Sequence, residues 1–180
     1  MTRPPVAGPS KGVRDMSNKT YGFGIVGCGL ISQFHGRAIE AAPGAKLICA
    51  ADLNQERLGK FCADFGCEAA PSFEAMLEDP RIDVVNVCTP NALHAKFAVP
   101  AMKAKKHVIV EKPPEMTLEK CDEMIAARDA NGVKVAISLQ CRFRKAVRAI
   151  KEAIESGRFG RLMAGDTYMK WYRSLDYYKM

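Results

Sequence analysis

"GIVGCGLIS", residues 24–32, decides how this chain folds. A short apolar run ends at Gly27 and Gly29 and passes at once into Ile31 to Ala42, where apolar residues recur at helical spacing. A strand, a glycine turn and a helix in that order open a unit whose next strand returns parallel to the first by a right-handed crossover.

The same alternation continues outward from this stretch. Strands are expected at Gly22 to Val26, Lys46 to Ala51, Val84 to Cys88, His107 to Val110 and Lys134 to Leu139. Helices are expected at Ile31 to Ala42, Gln55 to Phe65, Phe73 to Glu78, Asn91 to Ala104, Leu118 to Asn131 and Phe143 to Ser156. Unbroken apolar strands such as "VVNVC" suit a sheet covered on both faces, so the fold class is α/β, a doubly wound parallel sheet of the Rossmann type. Ser72 and Thr117 stand where helix N-caps belong, and Asn131-Gly132 closes the helix that Thr117 opens. Pro100 falls inside the Asn91 helix and is expected to kink or divide it. After Gly157, "LMAGDTYMKWYR" carries aromatic residues that read as a strand starting at about Arg161.

Composition limits the functional classes. No apolar run approaches the roughly 20 residues that cross a bilayer, and residues 1–19, rich in proline, glycine and charge, read as a disordered leader without a secretory core. A cytoplasmic location is the expectation. The net charge of +7 divides into +3 on residues 1–20, +6 on residues 142–180 and −2 between them, which argues against a nucleic-acid surface. The seven cysteines are odd in number and scattered, so reduced, buried thiols are expected, and no metal site.

Three constellations carry chemistry. In "GIVGCGLIS", Gly27 permits a tight turn, Gly29 lets the backbone approach a pyrophosphate, and the helix N-terminus offers N–H groups to it. Ser32 takes the place of the third glycine of the fingerprint. Asp52, at the end of the second strand, stands where an acid meets the adenosine ribose hydroxyls; it would repel a 2′-phosphate and so favours NAD over NADP. It could equally cap the helix that starts near Asn54. In "VCTPN", Thr89, Pro90 and Asn91 follow a strand into the crevice where ligands of open α/β sheets lie, with His94 one helical turn on. "HVIVEKPPEMT", residues 107–117, ends the next strand in Glu111, Lys112 and Pro113, and the proline ring restricts Lys112. An ammonium there can polarise a substrate oxygen during hydride transfer.

In this order and spacing, "GIVGCGLIS", "VCTPNALHA" and "HVIVEKP" resemble the glucose-fructose oxidoreductase, inositol dehydrogenase and MocA family. The resemblance implies a Rossmann domain over residues 20–141, followed from residue 142 by a linking helix and the first strand of a truncated α+β substrate domain. It implies Gly27, Gly29, Leu30 and Ile31 at the pyrophosphate and Asp52 at the ribose. Thr89, Pro90, Asn91, His94 and Glu111 would stand on the nicotinamide side, and Lys112 would be catalytic. The substrates implied are sugars, cyclitols and nucleotide sugars, the full-length form being a homo-oligomer. Family members carry a proton-transferring histidine or tyrosine further along, so these residues are expected to be an N-terminal fragment, inactive alone. A non-catalytic dinucleotide-binding or regulatory module is the alternative. Lys105 stands where relatives often have glycine, and Pro114 and Cys141 are also atypical.

Overall fold

The computed structural model describes residues 19–179, so the expected leader lies, but for Lys19, outside the described residues. The chain divides into two compact units between Leu139 and Gln140. The first holds a six-stranded sheet in the order β3-β2-β1-β4-β5-β6, every neighbouring pair parallel. Its strands are β1 (Tyr21–Val26), β2 (Ala45–Ala51), β3 (Glu68–Ala69), β4 (Val84–Val87), β5 (His107–Glu111) and β6 (Val135–Ser138). Its helices are α1 (Leu30–Ala41), α2 (Gln55–Phe65), α3 (Phe73–Glu78), α4 (His94–Lys103) and α5 (Leu118–Asn131). The expected doubly wound sheet is what forms.

Two apolar clusters show why the strands are apolar throughout. One gathers Ile25, Leu47 and Ala50 against Ile39 of α1 and Leu58 and Phe61 of α2. The other gathers Val85, Val87, Val108 and Val110 against Met76 of α3, Ala98 and Met102 of α4, and Met124 of α5. All four residues of β4 are buried, as a central strand covered on both faces requires. Each large apolar side chain so enclosed contributes about 2 kcal/mol.

Local signals set the helix ends. Ser72 accepts from Ala75 N and Thr117 from Lys120 N, while Asn54, rather than Asp52, caps α2 by accepting from Arg57 N. Gly132 closes α5 in the left-handed region at φ 65°.

Several expectations change. β3 has two exposed residues, too short and too polar for a periodic signal. The helix expected from Asn91 begins as a 3-10 turn, Asn91–Leu93, before α4, and Pro100 lies inside α4 without ending it. Burial of Ala98, Val99, Ala101 and Met102 around the proline offsets the backbone hydrogen bond it cannot donate.

In the second unit, a 3-10 turn (Gln140–Phe143) precedes α6 (Lys145–Glu155), later than the expected start at Phe143, and a further 3-10 turn spans Leu175–Lys179. The strand expected from about Arg161 does not form. Residues 161–174 have no regular secondary structure, and Tyr168, Trp171 and Tyr172 are exposed. Strand stability comes from ladder hydrogen bonds and cross-strand pairs, and the described residues of this unit supply no second strand.

Lys105 holds φ 62°, the left-handed region, in the turn between α4 and β5. Its N–H is tied to Met102 O at 2.9 Å, so the conformation is fixed by the turn and strained for a residue with a Cβ. Lys105→Gly is expected to stabilise the chain by about 1 kcal/mol. Urea denaturation measures this, and an unchanged or lower midpoint would show that the turn carries no such strain.

Candidate functional site

The site is built where β1, β2, β4 and β5 end. Gly27 leaves β1 at φ 90°, and its N–H donates to Ala51 O at 2.8 Å. A Cβ at this position would meet the carbonyl carbon and oxygen of Cys88 at 2.8 Å, so only glycine lets the turn pass so close to the end of β4. Gly29 differs: a Cβ there would meet nothing within 4 Å. It precedes α1, whose first turn has no side-chain cap. The result is an open cradle at a helix N-terminus, suited to phosphate oxygens. Ser32 is fully buried and donates its hydroxyl to Gly29 O at 2.6 Å, which reconciles it with the position of the third glycine. Leu30 is exposed and Ile31 half-buried at the mouth of the cradle.

Asp52 faces inward. One carboxylate oxygen accepts from Cys28 N and the other from Asn54 N, both at 2.7 Å, and Arg57 Nη2 lies 3.6 Å away. The acid therefore braces the glycine turn before any ligand arrives. A cleft of about 510 Å³ opens beside it, lined among others by Gly27, Asp52, Arg57, Phe73, Thr89 and Pro90. Thr89 Oγ1 is buried there without a hydrogen-bond partner, a polar atom left for a ligand to satisfy. These residues fit a dinucleotide: an open phosphate cradle, an acid within a long cleft and an unsatisfied hydroxyl at its wall. Asn91 is exposed at the start of the 3-10 turn that follows.

His94 and Glu111, expected on the nicotinamide side, are both buried and hydrogen-bonded within the protein. His94 is fully buried, with Nδ1 2.8 Å from Pro113 O and Nε2 3.0 Å from Thr89 O. Both partners are backbone carbonyl oxygens. Its ring ties the loop after β4 to the loop after β5, with no nitrogen free for the cleft.

Glu111 is also buried. Its Oε1 lies 2.9 Å from His35 Nε2, its Oε2 accepts from Lys112 N at 3.1 Å, and Ser138 adds a hydrogen bond. His35 Nδ1 lies in turn 2.9 Å from Asn86 Nδ2, so residues from β4, α1, β5 and β6 form one buried polar network. Burial alone would raise the Glu111 carboxyl; the hydrogen bonds from His35, Ser138 and Lys112 N–H outweigh it and hold the group below the usual carboxylate range. Lys112 itself is exposed beyond this network, at a cis Lys112–Pro113 bond.

Sequence reasoning missed His35, Asn86, Ser138 and Glu115. The legible signal was Asn86, an amide inside the otherwise apolar "VVNVC": a polar residue in a strand covered on both faces must find a partner. Glu115 accepts from Ala95 N at 2.8 Å and so supplies a negative charge at the N-terminus of α4.

Cys28 and Cys49 are buried, and burial pushes their thiols up to about 12 and about 11. Cys141 is exposed, against the expectation of buried thiols. Among the described residues no group of three or more His, Cys, Asp or Glu could hold a metal ion, and no helix is long and apolar enough to cross a membrane.

The comparisons agree with this geometry. Residues 21–139 match the profile of an oxidoreductase family with an NAD-binding Rossmann fold. An uncharacterized oxidoreductase, YrbE, of Bacillus subtilis is 32% identical over 76% of this chain and 40% of its own length. The myo-inositol 2-dehydrogenase of Thermotoga maritima is 31% identical over 77% of this chain and 42% of its own. Among solved structures, the WlbA dehydrogenase of Bordetella pertussis, in complex with NADH and UDP-GlcNAcA, superposes with a TM-score of 0.81 at 34% identity, covering 89% of this chain and 48% of that one. The chain spans about two fifths of the length of the curated relatives it matches.

Glu111→Gln is expected to cost about 2 kcal/mol at neutral pH, because it weakens a buried, charge-assisted set of hydrogen bonds. A depressed carboxyl contributes stability above its unfolded value, about 4.3, and loses it as pH falls through the lower folded value. The gap between variant and parent should therefore close in acid; chemical denaturation at neutral and acid pH checks this, and a gap independent of pH would contradict it.

Proposed function

The chain belongs to the glucose-fructose oxidoreductase, inositol dehydrogenase and MocA family of oxidoreductases, with an NAD-binding Rossmann fold, and from that premise we propose that it serves hydride transfer at a secondary hydroxyl or ketone of a sugar, cyclitol or nucleotide sugar. The observation that carries this reading is the position of Lys112. It is an exposed lysine at the end of β5, on the edge of the parallel sheet where Gly27, Asp52 and Thr89 also lie. The relatives named as a myo-inositol 2-dehydrogenase and as a complex with a nucleotide sugar support that substrate class.

In this reading Gly27, Gly29, Leu30 and Ile31 hold the pyrophosphate with backbone N–H groups, and Asp52 takes the ribose hydroxyls on lone pairs left by Cys28 and Asn54. Thr89, Pro90 and Asn91 form the wall on the nicotinamide side. Bound NAD supplies the site that accepts or donates hydride. Lys112 hydrogen-bonds the substrate oxygen and stabilises the negative charge that develops there. Glu111 and His94 act from behind: the first holds the Lys112 backbone, the second joins the loop after β4 to the loop after β5. The proton of the substrate hydroxyl passes to a base outside the set named here. Residues 142–180 form the link toward a substrate-bearing region, and the active form is an oligomer.

Lys112→Ala in the active enzyme should lower kcat by about 10²–10⁴-fold while leaving NADH affinity nearly unchanged. Steady-state kinetics with NADH fluorescence titration measures both, and unaltered turnover would remove Lys112 from the chemistry. Asp52→Ser should weaken NADH binding and narrow its advantage over NADPH; an unchanged ratio would detach Asp52 from the ribose.

A further inference from the structure

Cys62 and Cys67 lie outside the site described above. Gly66 ends α2 in the left-handed region at φ 61°, and Cys67 N then donates to Cys62 O at 3.2 Å. This C-cap turns the chain back on the helix and brings the two sulfurs to 3.8 Å, with the Cys67 thiol donating to Cys62 Sγ. Both residues are half-buried, within reach of a small oxidant, whereas Cys28, Cys49 and Cys88 are buried. A disulfide needs sulfurs about 2.0 Å apart, and the hydrogen-bonded cap already holds the two backbones side by side.

We propose that Cys62 and Cys67 form an oxidisable dithiol site, closed to an intramolecular disulfide by a peroxide. Cys62, whose sulfur accepts the Cys67 hydrogen bond, is the attacking thiol: it gives its proton to solvent and attacks a peroxide oxygen. The O–O bond breaks, leaving a sulfenic acid on Cys62 and a hydroxide that becomes water. The Cys67 sulfur then attacks the Cys62 sulfur, the S–S bond forms, the S–O bond breaks, and the Cys67 proton leaves with the hydroxide as a second water. Two thiols lose two electrons and the peroxide gains them. Burial holds both thiols above their ordinary values, Cys67 at about 12, so the reaction is slow at neutral pH.

The location gives the bond a consequence. It would fasten the end of α2 to the start of β3, and Ala70, Pro71 and Ser72, just beyond β3, line the cleft. Arg57, in the first turn of α2, lines it too. The disulfide would thus brace the outer wall of the cleft, whichever ligand that cleft takes.

The test uses the 180-residue chain carrying Cys141→Ser, which removes the exposed thiol. After treatment with hydrogen peroxide, free thiols are alkylated and the tryptic peptide spanning residues 61–81 is weighed. The expected peptide is two hydrogens lighter than its reduced form, unalkylated, and restored by dithiothreitol. Cys62→Ser should leave Cys67 open to alkylation; should that variant fail to fold, the parent peptide alone decides. A peptide alkylated at both cysteines, oxidised to sulfinic or sulfonic acid at one, or linked to a different cysteine would overturn the proposal.

Discussion

The approach of Gly27 to the end of β4 is the contact on which the site depends. With no Cβ to collide with the Cys88 carbonyl, the turn after β1 passes over the neighbouring strand, and its N–H reaches across to Ala51 at the end of β2. Three strand ends are thereby drawn to one place. Asp52 then locks the turn through Cys28 N, and the open cradle at Gly29 faces outward over α1. Conformational freedom at one residue, the hydrogen bonds that remove it again and the cleft that results form one sequence of causes.

Beneath the opposite end of the site lies a second constraint, electrostatic rather than steric. Glu111, His35, Asn86 and Ser138 come from four elements and meet in the interior, where any of them alone would be costly. Their shared product is a fixed backbone at Lys112, since the Glu111 carboxylate accepts that residue's N–H. The lysine side chain stays in solvent while its base is anchored in the core. His94 and Glu115 extend the same principle to the loops around it, one bridging two carbonyls and the other capping α4.

The fold was legible because its signals are local and repeated. Apolar strands, helical periodicity, the caps at Ser72 and Thr117 and the closing Gly132 each specify an element without knowledge of the rest. β3 was invisible because two residues carry no period, and Pro100 was expected to kink or divide its helix because the packing that offsets a proline's cost is displayed by no sequence window. The strand expected from Arg161 shows the converse: composition can favour an extended chain, but a ladder needs a neighbour. Gly27, Asp52, Thr89 and Lys112 could be placed at strand ends, and the first three line the cleft. The inward turn of Glu111 and His94 could not be read, because it depends on His35, Ser138, Thr89 and Pro113, which meet them only in three dimensions.

The most direct test is a crystal structure of this chain with NADH. The pyrophosphate should lie over the backbone from Gly27 to Leu30, the adenosine ribose should hydrogen-bond Asp52, and the nicotinamide should lie past Pro90 on the side of Lys112. A dinucleotide bound away from the glycine turn, or one whose nicotinamide points toward β3 and away from Lys112, would contradict the assignment of this sheet edge as the hydride-transfer site.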